Sequence, residues 1–269
     1  MELSLITDEI SQDLDEAARF AVDHEVRKVA IRSVWGRNIM ECAADDAERI
    51  ADRLAHYDLE VTSVLSPLFK CPTRAADTGE LVDPHFVGFP PVRRLHIEAA
   101  SSLPAIATTL GAKILRIFTF LVSEEADGDL ASAEAATIRS AVADWDVTAA
   151  VENEYVCHVR TLSELSRFCS ANHLPAIIDP CNHAYLEGAG TVLAGLTDEL
   201  LRQAVDVHVK DRTAGAYVPV GDGDLPWPEI IGRLADSGFA GPVTLESHLR
   251  GDREGIAASI ARLRQWGIA

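Results

Sequence analysis

Two hydrophobic periods alternate along this chain. Short, nearly continuous runs of Val, Ile, Leu and Thr occupy residues 3–7, 28–34, 60–66, 113–120, 148–154, 175–179, 204–210 and 242–247, the composition of strands covered on both faces. Between them lie longer stretches in which apolar residues recur every three to four positions, as at 13–24, 45–56, 162–172, 227–237 and 254–266. That is the period of a helix with one buried stripe. Strand and helix patterns alternating in this way predict βα units around a parallel sheet, and eight units can be counted. No Gly-x-Gly-x-x-Gly turn follows the first strand, so an α/β fold closed as a (β/α)8 barrel is expected rather than an open doubly wound sheet. No linker, low-complexity segment or repeat array interrupts the pattern, which places residues 1–269 in one domain. Residues 71–91, with several Pro and Gly, predict a long loop after the third strand, suited to covering the barrel mouth or to running over the surface.

Composition narrows the partners. Hydrophobic residues make up 48% of the 269, enough to bury one large core. A formal net charge of −18 repels nucleic-acid phosphates and anionic membrane surfaces, which argues against either as a partner. Five cysteines without a C-x-x-C spacing, a start lacking a basic segment and apolar core, and the absence of any bilayer-length apolar run lead to the expectation of a cytoplasmic protein.

In barrels the working side chains stand at the carboxyl ends of strands. The fifth run ends in Glu152, Asn153 and Glu154, the sixth in Asp179, Pro180, Cys181 and Asn182, the seventh in His208, Val209, Lys210 and Asp211, and the eighth in Glu246, Ser247 and His248. A charge directly after aliphatic residues is costly to bury unpaired. For any one of them a salt bridge, or for His208 a hydrogen-bonded core position, accounts for it equally well. Four on successive strands favour one divalent cation held by Glu152, Asp179, His208 and Glu246. Three carboxylates with one imidazole suit manganese, magnesium or cobalt, and zinc is also accommodated.

These segments, with 218–224 (Val-Pro-Val-Gly-Asp-Gly-Asp), 243–246 and the amino-terminal pieces 6–13, 31–38 and 66–70, resemble the xylose-isomerase-like TIM-barrel superfamily of the sugar phosphate isomerase/epimerase type. The resemblance covers nearly the whole chain. It implies one divalent metal ion, usually Mn2+, on Glu152, Asp179, His208 and Glu246, and a second role for Glu152 and Glu246 in exchanging the substrate proton. The activity it implies is isomerisation or epimerisation of a carbohydrate through an enediolate. The alternative is a lyase or deglycosidase that eliminates the leaving group of a 3-keto-glycoside. Some relatives do this with a small β-rich partner subunit, so both a homo-oligomer and a complex with such a subunit are open. Other relatives cut DNA at abasic sites with a zinc cluster, which needs more ligands than these strand ends supply. The chain departs from the pattern at Asn182, where several epimerases have His, and at Glu154, where many relatives have His.

His158, six residues past Glu152, is a candidate general acid or base, or a solvated loop histidine. Arg32, Lys70 and Arg116, near the ends of the second, third and fourth strands, join Glu154, Asn182 and Lys210 as candidate substrate-binding residues. The competing role for the three bases is to offset Glu9 and the metal carboxylates. Trp35 is open to stacking on a sugar or to packing, and packing is expected for Phe69. His183 and His248 carry no assigned role.

Overall fold

The computed structural model describes residues 1–73, 87–122 and 132–269, so residues 74–86 of the predicted long loop lie outside the described residues. All eight predicted strands form: β1 (Glu2–Ile6), β2 (Lys28–Ile31), β3 (Glu60–Val64), β4 (Ile114–Ile117), β5 (Thr148–Glu152), β6 (Ala176–Ile178), β7 (Ala204–Val209) and β8 (Pro242–Leu245). Each runs parallel to its neighbours, and β1 pairs with both β2 and β8, closing the barrel. The strands stop short of several predicted carboxyl ends because the chain turns there. After β2, Ser33–Val34 folds back on Arg37–Asn38 as a separate hairpin. Beyond β4, Phe120 takes a left-handed φ of 59°, a conformation that a strand excludes.

Helices α1 (Leu14–Asp23), α2 (Ala44–His56), α3 (Arg93–Ala100), α4 (Leu103–Thr109), α5 (Ser132–Val142), α6 (Leu162–Asn172), α7 (Pro180–Glu187), α8 (Asp198–Gln203), α9 (Trp227–Asp236) and α10 (Arg253–Gln265) surround the strands. Their starts are encoded locally. Asp13 accepts hydrogen bonds from the Asp15 and Glu16 amides, and Thr161 and Glu164 form a reciprocal capping box ahead of α6. The expected single helix per strand does not hold. Two helices, α3 and α4, follow β3, and the second carries Pro104 in its first turn, where a missing N–H is tolerated but an ongoing helix would be broken. No described helix is long and apolar enough to cross a membrane.

The core has two compartments. Leu3, Leu5, Val29, Ile31, Val207 and Val209 point out of the barrel into the layer shared with the helices. Inside lie two small clusters, Ile6 with Ala30 and Leu65, and Ile114 with Ala150 and Ile177. Between them the barrel interior is polar: Asp206 accepts hydrogen bonds from Thr244 Oγ1 at 2.8 Å and Ser63 Oγ at 3.4 Å. Burial raises the Asp206 carboxyl to about 6.

His96 on α3 ties the helix layer to the loop after β3. Its Nδ1 accepts the Phe69 amide at 3.0 Å and its Nε2–H donates to Pro90 O at 3.1 Å. Burial lowers its pKa to about 4. The unfolded chain therefore binds a proton at this residue near pH 6.5 and the folded chain only near 4, so stability present above 6.5 is lost as pH falls towards 4. The full loss is about 3 kcal/mol. Urea unfolding at about pH 7 and about pH 4.5, on either side of most of that window, should show a larger drop for the wild type than for His96→Gln; equal drops would remove His96 as the cause.

Candidate active site

Glu152 closes β5, Asp179 and Glu246 directly follow β6 and β8, and His208 lies within β7. Because strand side chains alternate, Asp206, His208 and Lys210 face inward while Val207 and Val209 face out. All four candidate ligands are buried, and one donor atom from each lies within 4.8 Å of the other three. His208 Nδ1 is 3.1 Å from Glu152 Oε1 and 3.6 Å from Glu246 Oε2. Burial opposes a charge on the imidazole, but the two glutamates beside it raise its pKa to about 10. Burial likewise opposes ionisation of Glu152, and His208 and Arg116 outweigh it, bringing the carboxyl down to about 2. At Asp179 burial prevails and moves the carboxyl up to about 6 in spite of Lys210.

The backbone around Asp179 is braced. Its Oδ1 caps α7 by accepting the Asn182 amide at 2.8 Å, which leaves Oδ2 facing the site. Asn153 accepts the Asp179 N–H and donates to the Asp179 carbonyl, both at 2.9 Å, and Asn182 Nδ2 donates to Asn153 O at 3.0 Å. Asn182, expected to meet substrate, lines the cavity and also ties β5 to β6.

The candidate binding bases line the same cavity, and each is committed to acids. Arg32 contacts Asp8, Glu9 and Glu246 at 3.1, 2.8 and 3.1 Å. Arg116 donates to Glu152 Oε2 at 2.9 Å and to the Leu65 and Ser66 carbonyls. Lys70 pairs with Glu154 at 3.1 Å, and the Lys210 ammonium lies 2.6 Å from Asp179 Oδ2 and 2.8 Å from Glu246 Oε2. The charge-offsetting role weighed from the sequence is thus realised for Arg32, which meets Glu9 and Glu246, and for Arg116, which meets Glu152, whereas the acid beside Lys70 is Glu154; all three also stand in the cavity wall.

The cavity holds about 280 Å³ above the cluster, and Tyr155, Tyr185, Arg212, Tyr217 and His248 complete its outer wall. His158 is not among the described residues that line it, and its backbone N–H donates to Phe120 O at 3.0 Å. His183 is a framework residue: Nδ1 accepts the Leu162 amide and Nε2 contacts Thr191 Oγ1 at 3.0 Å. Phe69 is fully buried, whereas Trp35 is exposed beneath the Arg49 guanidinium and does not line the cavity. Sequence reasoning passed over Asp8, Asp206 and the aromatic wall. Asp206 was within reach, since it stands two residues before His208 on the same strand face. The wall was not, because Tyr155, Tyr185 and Tyr217 come from three separate connections.

The residues fit a divalent cation. Three carboxylates and one imidazole nitrogen converge, and among the described residues buried Asp179 Oδ2 accepts no well-directed hydrogen bond, its 2.6 Å contact with the Lys210 ammonium being an ion pair. Fold and site together define a TIM barrel whose mouth holds a buried acid-and-imidazole cluster able to hold a metal ion. The chain belongs to the xylose isomerase-like TIM barrel family, whose model matches residues 19–266. No curated protein sequence matches it.

Solved structures share the fold at low identity. A xylose isomerase domain protein from Planctomyces limnophilus superposes with a TM-score of 0.72 at 17% identity, covering 98% of this chain and 95% of the other. The probable 3-DHS dehydratase AsbF from Bacillus anthracis gives 0.73 at 16%, covering 98% and 99%. D-allulose 3-epimerase from Methylomonas sp., in complex with D-allulose, gives 0.69 at 16%, covering 98% and 96%.

Proposed function

We propose that this protein is a divalent-metal-dependent carbohydrate isomerase or epimerase that moves a proton on the carbon beside a carbonyl. The observation that carries this reading is the pair of buried glutamates, Glu152 and Glu246, facing one imidazole within a four-donor cluster under a cavity of sugar-sized dimensions. A bound divalent cation would polarise the substrate carbonyl and the neighbouring hydroxyl, acidifying the C–H between them. Each glutamate has one oxygen towards His208 and the other against an arginine, Arg116 for Glu152 and Arg32 for Glu246. These contacts fix both carboxylate planes and keep both ionised, so either can accept the carbon-bound proton on an oxygen and return it. Lys210 is placed to steady an oxygen anion developing beside Asp179 and Glu246.

The structural likeness to an allulose epimerase supports sugars as the substrate class. The likeness to a dehydratase, and the Lys70–Glu154 pair in the cavity wall, keep elimination as the second reading. Proton NMR in D2O of manganese-loaded protein with a panel of ketoses, aldoses and 3-keto-glycosides separates them. Deuterium entering beside the carbonyl with the product still whole supports isomerase or epimerase chemistry. Release of an aglycone or of water makes the protein a lyase, and neither exchange nor release with any substrate counts against both.

Metal binding has its own readout. At a hundredfold excess over Kd, manganese should add about 2.7 kcal/mol to the stability of chelator-stripped protein, a rise of roughly 5–10 °C in Tm. Asp179→Asn should lose most of that rise. A wild type that neither retains metal in stoichiometric amount nor shifts in Tm would overturn the metal assignment.

A further inference from the structure

Five bases line the cavity: Arg32, Lys70, Arg116, Lys210 and Arg212. Four are held against carboxylates at 2.6–3.1 Å. Arg212 differs. Among the described residues no carboxylate lies within salt-bridge distance of its guanidinium, which rests instead on two aromatic faces, 4.5 Å from the Tyr185 ring centroid and 6.0 Å from that of Tyr217. Stacking on tyrosine orients a guanidinium without neutralising it.

The neighbouring acid does not serve as its counterion. Asp211 spends its carboxylate on the amides of Gly221 at 2.8 Å, Gly223 at 3.2 Å, Leu225 at 3.3 Å and Arg212 itself at 2.9 Å. Those bonds pin a short hairpin, Asp211–Thr213 against Ala216–Val218, in which Arg212 stands opposite Tyr217. Gly223 passes so close that a Cβ there would collide with Asp211 Oδ1. The hairpin is thereby fixed at the cavity edge, and Arg212 with it.

We propose that Arg212, seated on Tyr185 and Tyr217, recognises an anionic group, and that the substrate is an acidic carbohydrate bearing a carboxylate or a phosphate ester. The inference rests on the carbohydrate reading above and adds the charge of the substrate to it. A chain of net charge −18 repels anions at long range, so a fixed cation at the entrance with no carboxylate in salt-bridge reach among the described residues supplies the local attraction that an acidic sugar needs. The guanidinium edge offers paired N–H donors in the spacing of carboxylate and phosphate oxygens, and its stacked seat lowers the entropy lost on binding.

Calorimetric titration of the manganese-loaded protein with D-glucitol, D-glucitol 6-phosphate and D-gluconate tests this directly. At least one of the two anions should bind about tenfold to a hundredfold more tightly than neutral glucitol, and which one does so tells phosphate from carboxylate. Arg212→Met should bring that anion to the glucitol level, while Arg212→Lys should retain the preference, showing that the loss follows charge and not misfolding. If neither anion exceeds glucitol, or if Arg212→Met binds the anion as the wild type does, the proposal is overturned. None of these three ligands has an aldehyde or ketone, so the outcome stands apart from the exchange experiment: absence of deuterium exchange would sink the reaction and leave the anion site standing, and the reverse holds.

Discussion

Glu246→Gln is expected to slow deuterium entry into substrate by about two to four orders of magnitude, the usual contribution of a positioned acid or base. The substitution keeps the side chain's shape and removes its proton-accepting charge. Around it, Arg32 retains Asp8 and Glu9, and Lys210 retains Asp179, so the fold is expected to persist and the deficit to lie in chemistry and metal content. Single-turnover NMR together with metal analysis of the purified variant separates the two. Glu152→Gln should behave alike, since both glutamates face His208 from within 3.6 Å. A Glu246→Gln protein exchanging within threefold of the wild-type rate would exclude Glu246 from proton transfer.

The second large effect concerns stability. Arg32→Met is expected to destabilise the metal-free protein by about 3–5 kcal/mol, the cost of leaving buried charges without their partner. Arg32 is nearly inaccessible and so are Asp8, Glu9 and Glu246, the three acids it joins. Removing the guanidinium leaves three carboxylates crowded at the end of the barrel, with Lys210, Arg116, His208 and His248 the compensating groups near Glu246 among the described residues. Urea denaturation of wild type and variant measures the difference, and Arg233→Met, which breaks an exposed pair with Asp198, serves as the control that should leave the midpoint almost unmoved. If both variants unfold at the same midpoint, Arg32 is not the tie between the first, second and eighth strands that the geometry describes.

These two residues also mark where sequence reading succeeds and where it stops. Glu246 stands out because a carboxylate directly after Val243, Thr244 and Leu245 needs a buried partner, and the same reasoning reaches Glu152, Asp179 and His208. Arg32 is visible as a strand-end base, but its partners are not, for Asp8 and Glu9 sit 24 and 23 residues away and Glu246 sits 214 residues away.

The eight strands, the approximate bounds of helices α1, α2, α6, α9 and α10 and the four strand-end donors were determined by the sequence itself, because each depends on local periodicity: unbroken aliphatic runs, a helical stripe, a cap such as Asp13 or Thr161, a charge placed where a strand must end. Ring closure between β1 and β8, the pairing of each base with its acid and the stacked seat of Arg212 were decided only by the tertiary structure. They depend on side chains from distant connections meeting at one end of the barrel, and a contact of that kind has no signature in the residues adjacent to either partner.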